Sequence, residues 1–345
     1  MEMAANLFWA GINGLLEYLS AHVVTCLVPA LFIAGAIAAF VSQAAILKYF
    51  GPQAKKALSY SVASVSGAVL AVCSCTVLPL FAGIYKKGAG LGPAIAFLFS
   101  GPAINVLAIV YSAKLLGYDI GLARAIGAIV FSVVIGLIMA LIYRKEKSQA
   151  DAQAFAMLTA DPAGKSIWQQ ITFIGSLVGV LVFAASKDWI VMSIFLVAIA
   201  VILWRWFTKD EIVQWLKETL HFTRLIIPWL LLGVFVAGIL TVIIPSNIVA
   251  TWVGGNSISA NFIASFAGAL MYFATLTEVP IIKAFMNLGM GKGPALALLL
   301  AGPALSLPAM FTLTKIMGFK KMITYVGIVV VMATITGYIF GLIVS

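Results

Sequence analysis

Residues 86–106 read KKGAGLGPAIAFLFSGPAINV, and residues 287–307 read NLGMGKGPALALLLAGPALSL. Aligned without a gap at an offset of 201 positions, the two stretches are identical at 10 of 21 positions, and most others exchange one apolar residue for another. Two unrelated apolar helices would share leucine and alanine but not this framework of glycine and proline. The chain therefore contains an internal duplication.

The composition indicates that lipid is the solvent for most of the chain. Of 345 residues, 63% are hydrophobic and 9% are charged, whereas charged residues make up about a quarter of soluble proteins. The net charge of +10 does not form a basic stripe of the kind that binds nucleic acid, because lysine and arginine stand singly or in pairs between apolar runs. We expect a multi-pass membrane protein whose partner is the lipid bilayer, with no nucleic acid.

The register of the duplication extends well beyond the two opening stretches. The residues that match outside them are mostly threonine, proline and glycine: Thr76 with Thr277, Pro79 with Pro280, Gly117 with Gly318, and Gly136 with Gly337. A duplicated unit of membrane helices is the usual architecture of a transporter, with the substrate site between the copies near the midplane. Duplication for stability alone is the alternative.

Charge-free runs predict an all-α polytopic membrane protein with about ten transmembrane helices, since about 20 apolar residues cross the hydrocarbon. The predicted spans lie near 23–47, 57–85, 90–114, 122–143, 167–186, 189–206, 224–245, 258–285, 292–315 and 321–343. Two amphipathic segments, 7–19 and 209–222, are expected to lie in the headgroup plane.

This count predicts two four-helix repeats with Gly-Pro-broken helices plus two central spans. The expected parts are a first repeat with its interfacial helix, a cytosolic connection, two linking transmembrane helices, and a second repeat with its interfacial helix: 1–143, 144–166, 167–208 and 209–345. Six spans separate matched positions, so the repeats should enter the membrane in the same direction; a count that is off by one would invert them.

The basic residues give a weak indication of orientation. The predicted inside loops, which include Lys86 and Lys292, carry slightly more lysine and arginine than the outside loops, which include Lys114 and Arg124. Because basic residues favour the cytoplasmic side, this excess favours a cytoplasmic N-terminus.

The Gly-Pro pairs predict where two helices break. Gly101-Pro102 and Gly302-Pro303 fall in the middle of matched spans, and proline removes an N–H and clashes with the preceding turn. A split helix leaves free amides at the start of its second half, which suit an anion or a polar oxygen. Asn105 and Ser306, three residues past each proline, are candidate ligands there; an ordinary packing kink is the alternative.

A Cys-x-Cys element lies in the matched span of the first repeat. On a regular helix, Cys73 and Cys75 would point about 200° apart, but unwinding before Pro79 would let both thiols meet one ligand. Paired sulfur ligands suit Cu(I) or a trivalent metalloid, and the element stands beside a threonine and a proline that recur in the second repeat as Thr277 and Pro280. The alternative is that each buried cysteine is a small apolar residue.

Glu278 takes the place that Val77 holds in the first repeat. A carboxylate among apolar neighbours is costly in a membrane, so Glu278 is a candidate for proton coupling. Lys283, five residues on, is a poor local partner. Structural pairing elsewhere in the bundle is the alternative.

No motif points to a resident cofactor, metal or enzymatic activity. Three cysteines without zinc-ligand spacing do not make a metal site, and no Walker sequence is present for ATP hydrolysis. The leading hypothesis is a secondary transporter, an exporter of a small thiophilic or anionic solute. A thiol–disulfide relay through Cys73 and Cys75, a passive channel, and assembly as a homo-oligomer stay open.

The strings CSCTVLPLFAGIYKKGAGLGPAIAFLFSGPAIN, from Cys73, and ATLTEVPIIKAFMNLGMGKGPALALLLAGPALSLP, from Ala274, resemble the predicted permease family that includes the organoarsenical efflux permease ArsP. The resemblance covers both repeats. It implies a prokaryotic plasma-membrane (inner-membrane) permease, and in the ArsP branch export of trivalent organoarsenicals, with Cys73 and Cys75 as the thiol contacts. Thr76, Pro79, Thr277, Glu278 and Pro280 would frame that site.

Overall fold

The computed structural model describes residues 2–20, 27–40, 55–70, 74–144, 167–186, 188–243, 252–271 and 278–344. Helices make up nearly all of these ranges, and the only pairing of extended backbone within them is an isolated bridge between Gly254 and Met290. The predicted all-helical fold is confirmed. The predicted connection at 144–166 lies almost wholly outside the described residues.

The helices are numbered here in chain order. Those of the first half are α1 (Glu2–Tyr18), α2 (Val28–Phe40), α3 (Lys56–Leu70), α4 (Ser74–Lys86), α5 (Leu91–Ala103), α6 (Val106–Leu116) and α7 (Tyr118–Ile142). Those that follow are α8 (Ile167–Ala185), α9 (Trp189–Trp206), α10 (Lys209–Ile243), α11 (Ile258–Leu270), α12 (Glu278–Asn287), α13 (Lys292–Ala301), α14 (Leu307–Met317) and α15 (Phe319–Val344).

Several helices are long and apolar enough to cross a membrane. Among the described residues these are α7, α9, residues Lys209–Val236 of α10, and α15; α5 and α6, bent by 48° where they meet, would together make a fifth. Large apolar side chains face outward on them, such as Trp204 and Ile190 on α9. Outward apolar side chains are expected where lipid is the solvent, so the helices support a membrane protein.

Residues 209–243 form one helix, which corrects the predicted interfacial helix 209–222 and separate span 224–245. No glycine or proline stands between residues 209 and 227 to end the helix. The hydroxyls of Thr219 and Thr223 donate to carbonyls one turn earlier, at 2.9 and 2.8 Å, so they stay within the helical pattern. The amphipathic residues 209–222 are therefore the first part of α10 and not a separate helix.

Helix α7 defines two ends of the bundle. At its end, a Cβ atom on Gly92 of α5 would lie 2.8 Å from the carbonyl oxygen of Gly136. At its start, a Cβ atom on Gly121 would lie 2.5 Å from the Cβ of Ala113 of α6. The bent pair α5–α6 therefore runs antiparallel to α7. We call the two ends the Tyr143 end and the Asp119 end.

Helices α3 and α4 form a hairpin rather than the single predicted span 57–85. Ser64 of α3 hydrogen-bonds Ser132 of α7 at 2.8 Å, and Tyr60, one turn earlier, packs against Gly136. This order makes α3 start at the Tyr143 end and run antiparallel to α7. Residues 87–90 join α4 to the start of α5, so α4 ends at the Tyr143 end too.

Helices α11 and α12 form the matching hairpin in place of the predicted span 258–285. Asn261 of α11 lies against Gly337 near the end of α15, and Ser265 accepts a hydrogen bond from Thr334 at 3.2 Å. Residues 288–291 return the chain from α12 to the start of α13. Hydropathy missed both hairpins because two half-length apolar helices have the same composition as one long one. The total number of spans stays a prediction.

The matched helices α7 and α15 run in opposite directions. The Tyr143 hydroxyl, at the end of α7, lies 3.0 Å from the hydroxyl of Thr324 near the start of α15. Lys292, at the start of α13, donates to Asp119 at the start of α7 at 2.8 Å. The prediction that both copies enter in the same direction is wrong, because one of the six spans counted between matched positions is a hairpin.

The same contacts correct the sidedness of the basic residues. Lys86 ends α4 at the Tyr143 end, whereas Lys292 lies at the Asp119 end, although both were assigned to inside loops. The orientation of the N-terminus therefore has no support from that count and stays a prediction.

Candidate functional site

Both Gly-Pro segments lie at breaks between two short helices, and the same kind of side chain caps each break. Helix α5 ends at Ala103, and the Asn105 side-chain oxygen accepts from the backbone N–H of Ala108 at 3.3 Å. Helix α13 ends at Ala301, and the Ser306 hydroxyl accepts from the N–H of Ala309 at 3.3 Å. Each cap satisfies one of the free amides at the start of α6 and α14.

The two glycines of these segments sit differently relative to the breaks. Gly101 lies in the last turn of α5, which continues through Pro102 to Ala103. Gly302 directly follows the last residue of α13. Both are buried. Both breaks therefore lie inside the bundle, away from bulk water.

The Cys-x-Cys element spans the start of α4 in the sequence. Cys73 and Thr277 fall outside the described residues, and Cys75 is the second residue of α4. Thr76 is buried, and Pro79 lies inside α4. The chain from Ser74 to Pro79 is therefore helical, which corrects the predicted unwinding directly before Pro79.

Glu278 is the first residue of α12 and lies at the turn of the second hairpin. Its side chain is fully buried and forms an ion pair with Arg124 of α7, which is also fully buried. The other terminal nitrogen of Arg124 donates to the Ser112 hydroxyl of α6 at 2.7 Å. The start of a helix favours a negative charge, and the arginine supplies the opposite charge from the other copy.

This ion pair is incompletely hydrogen-bonded. Among the described residues, the Arg124 Nε and the Glu278 Oε2 have no hydrogen-bond partner. A buried polar atom without a partner costs about 1–3 kcal/mol, and more when it is charged. Removing one member of a buried ion pair costs about 3–5 kcal/mol because the other charge is left unpaired. The pair is thus a costly arrangement at the contact between the copies.

Apolar side chains surround the second hairpin on the side of the Asp119 end. Val279 and Ile282 of α12 pack in one buried cluster with Leu116 of α6 and Ile120 of α7. Arg124 lies six residues into α7, about 9 Å from its start at a rise of 1.5 Å per residue. The exposed pair of Asp119 and Lys292 lies nearer that end and joins α7 to α13, so of the two, Arg124–Glu278 is the ion pair that reaches the hairpin itself.

Comparison with known proteins places the chain in a family. A family model described as a predicted permease, ArsP_1, matches residues 8–342. The chain belongs to this predicted permease family. UPF0718 protein MJ0584 of Methanocaldococcus jannaschii is 49% identical over 364 aligned residues, 99% of this chain and 98% of that protein.

A more distant relative is UPF0718 protein YraQ of Escherichia coli, 24% identical over 276 aligned residues, 77% of this chain and 63% of that protein. No solved structure matches. The resemblance inferred from the sequence is confirmed. Membership of the predicted permease family indicates a membrane transport protein rather than an enzyme.

Arg124 is the residue of this permease that the sequence assignment missed. The predicted span 122–143 contains it, yet it was counted among the basic residues of the outside loops because the charge-free run begins after it. The signal that identifies it is the repeat register: its match, Tyr325, lies inside the predicted span 321–343. Transferring that register to the first copy puts Arg124 inside α7, where the structure has it.

Proposed function

We propose that this permease is a secondary transporter made of two inverted copies, which exports a small thiophilic or anionic solute by alternating access. The observation that carries the proposal is the antiparallel arrangement of the matched helices α7 and α15, with one hairpin starting from each end of the bundle. Inverted repeats with broken helices around a midplane site are a recurring design of secondary transporters. We place the protein in the prokaryotic plasma membrane with its N-terminus in the cytoplasm.

The contacts between the copies support an exchange of roles during transport. The second hairpin contacts the first copy through α12 and α6, and the first hairpin contacts the second copy through α4 and α14. The two contacts are related by the repeat register. An inverted pair allows one hairpin to close its end while the other opens the opposite end, which is the requirement of alternating access.

The solute site in this proposal lies between the hairpin turns and the helix breaks. Cys73 and Cys75 bind the solute through sulfur, which suits a trivalent organoarsenical. Glu278 couples transport to a proton. The remaining residues shape the site and supply polar contacts: Thr76, Pro79, Gly101, Asn105, Thr277, Gly302 and Ser306.

Transport into everted membrane vesicles tests the proposal. We expect uptake of a trivalent methylated arsenical to follow an imposed proton gradient and to be lost when Cys73 and Cys75 are both replaced by serine. Cys26→Ser is the matched control, because it removes the third cysteine of the chain outside the Cys-x-Cys element, and it should transport normally. Full transport by the double variant contradicts the thiol mechanism, and uptake without any gradient dependence favours a passive channel.

A further inference from the structure

The two hairpins are held to the opposite copy by different forces. The turn of the second hairpin carries Glu278, which is bound to Arg124 of α7. At the matched position the first hairpin has Val77, and the residue matching Arg124 is Tyr325. Both of these are buried without charge. The matched positions are therefore filled without a buried ion pair, and the pair at Glu278 calls for a separate explanation.

We propose that Arg124 holds the second hairpin closed against the first copy, and that Glu278 must accept a proton before this hairpin opens the Asp119 end. The inference rests on the proposed function, in which Glu278 couples protons. The inference adds two things to the proposed function: protonation of Glu278 releases Arg124, and the second hairpin is the element that moves. Arg124 is thus a positioning residue, which acts through Glu278 rather than on the solute.

The geometry explains why opening requires a proton. Ser112 holds the guanidinium from α6 while Glu278 binds it from α12, so movement of the hairpin away from α7 separates the two charges. A bare carboxylate left inside an apolar bundle is very costly. One proton taken from water at the Asp119 end neutralises Glu278, while the Ser112 hydroxyl continues to accept from the Arg124 guanidinium. The carboxyl gives up the proton when the carboxylate binds Arg124 again.

The unpartnered atoms favour a reversible contact over a permanent one. Nε of Arg124 and Oε2 of Glu278 have no hydrogen-bond partner in the described part of the chain. A pair selected for stability alone would be expected to satisfy every buried polar atom. In this pair one hydrogen bond joins Arg124 to Glu278, and the hydrogen bonds that Nε and Oε2 could make are missing within the described residues. Separating the two side chains therefore costs less free energy than separating a fully hydrogen-bonded pair.

Few other groups titrate near Glu278 among the described residues. On the helices packed against α12, Lys114 and Tyr111 of α6 are exposed, and Lys292 of α13 is bound to Asp119. Lys283 lies on α12 itself and is half-buried. None of them is within ion-pair distance of Glu278, whose partner is Arg124.

Thiol labelling of the full-length protein in liposomes tests the gate without any solute. The background carries serine at Cys26, Cys73 and Cys75. The probe is Ile282→Cys, at a position of α12 that is fully buried in the apolar cluster with Leu116 and Ile120. Labelling by a water-soluble maleimide is measured against Leu288→Cys, which is exposed beyond the end of α12. We expect the ratio of the two rates to rise several-fold from alkaline to acidic pH.

Three variants separate a gate from a structural pair. Glu278→Gln is neutral at every pH, so the probe should label rapidly at every pH, and Arg124→Gln should do the same. The exchanged pair Arg124→Glu with Glu278→Arg should label slowly at alkaline pH and rapidly in acid. Asp119→Asn removes only the exposed ion pair and should keep the parent's response.

The outcomes are decisive in both directions. Slow, pH-independent labelling in Glu278→Gln and Arg124→Gln would overturn the gate, as would an equal opening by Asp119→Asn. If either single variant fails to fold, the exchanged pair decides by the presence or absence of its pH response. If labelling depends on pH as expected but no arsenical is transported, only the proposed solute is contradicted. If arsenical transport is normal but the labelling rate does not change with pH, only the gate is contradicted.

Discussion

The second hairpin and α7 carry a buried ion pair at positions where the first hairpin and α15 carry two uncharged side chains. At the ion pair, Arg124 binds Glu278 and Ser112. At the matched positions, Tyr325 stands for Arg124 and Val77 for Glu278, and the Tyr325 hydroxyl donates to the carbonyl of Ala304 at 3.3 Å. The two sets of positions thus hold a buried ion pair in one case and two uncharged side chains in the other, where the charged contact of the hairpin with α15, from Lys321 to the Tyr85 hydroxyl at 3.4 Å, is nearer the surface.

The difference indicates which parts of the repeat serve the fold and which serve transport. Where both copies keep a close backbone approach, as at Gly136 and Gly337, the fold requires it. Where one copy alone carries a buried charge, the fold has already been shown to form without it. In the proposed transport cycle, this asymmetry assigns the energetic coupling to the second hairpin.

The largest effect is expected from making the charged contact resemble the apolar one. Arg124→Tyr alone leaves Glu278 buried without its partner and should lower the free energy of unfolding by about 3–5 kcal/mol. Adding Glu278→Val should restore most of that loss, because replacing a buried ion pair by packed apolar groups is often neutral. Denaturant unfolding in detergent measures both changes.

The same double variant separates stability from function. It should fold like the parent protein and yet show no proton-dependent transport in vesicles. The reverse variant of the first copy, Val77→Glu with Tyr325→Arg, provides the control for the exchange. Normal proton-driven transport by Arg124→Tyr with Glu278→Val would mean that the two contacts differ only by chance.

A smaller effect is expected where the copies are alike. Gly337 of α15 packs so closely that an added Cβ would lie 2.7 Å from the carbonyl oxygen of Gly293, and the matched contact joins Gly136 to Gly92 at 2.6 Å. Alanine at either Gly337 or Gly136 should lower the unfolding free energy by about 1–3 kcal/mol, as measured by thermal unfolding.

Gly327 is the matched control on the same helix, because a Cβ there meets nothing within 4 Å. Alanine at that position should stabilise the protein by about 0.5–1 kcal/mol through helix propensity. A large difference between Gly136→Ala and Gly337→Ala would show that the two copies do not share this packing.

Local signals in the sequence predicted some elements closely and others not at all. Residues 189–206 were predicted to the residue because Asp188 and the polar residues after Phe207 delimit the helix. The hairpins were not predictable from hydropathy, since direction depends on which helices pack together. Arg124 was misplaced for the same reason: its partner Glu278 is 154 positions away, and no local pattern carries such a pairing.

The smallest effect is expected at the two helix breaks, where the comparison between copies becomes a test of the site itself. Ser306→Ala and Asn105→Ala each remove one cap and should cost about 1 kcal/mol of stability. Ser257 caps α11 in the same way at 3.0 Å from the N–H of Ala260, but it is exposed, so Ser257→Ala should lose similar stability and keep transport. Only the buried caps should reduce solute uptake into vesicles, because only their helices begin inside the bundle. Equal transport by all three variants would place the solute away from the breaks. Ser306→Asn keeps a capping oxygen, as Asn105 does. Normal transport by this variant would show that the site needs the helix cap rather than the hydroxyl itself.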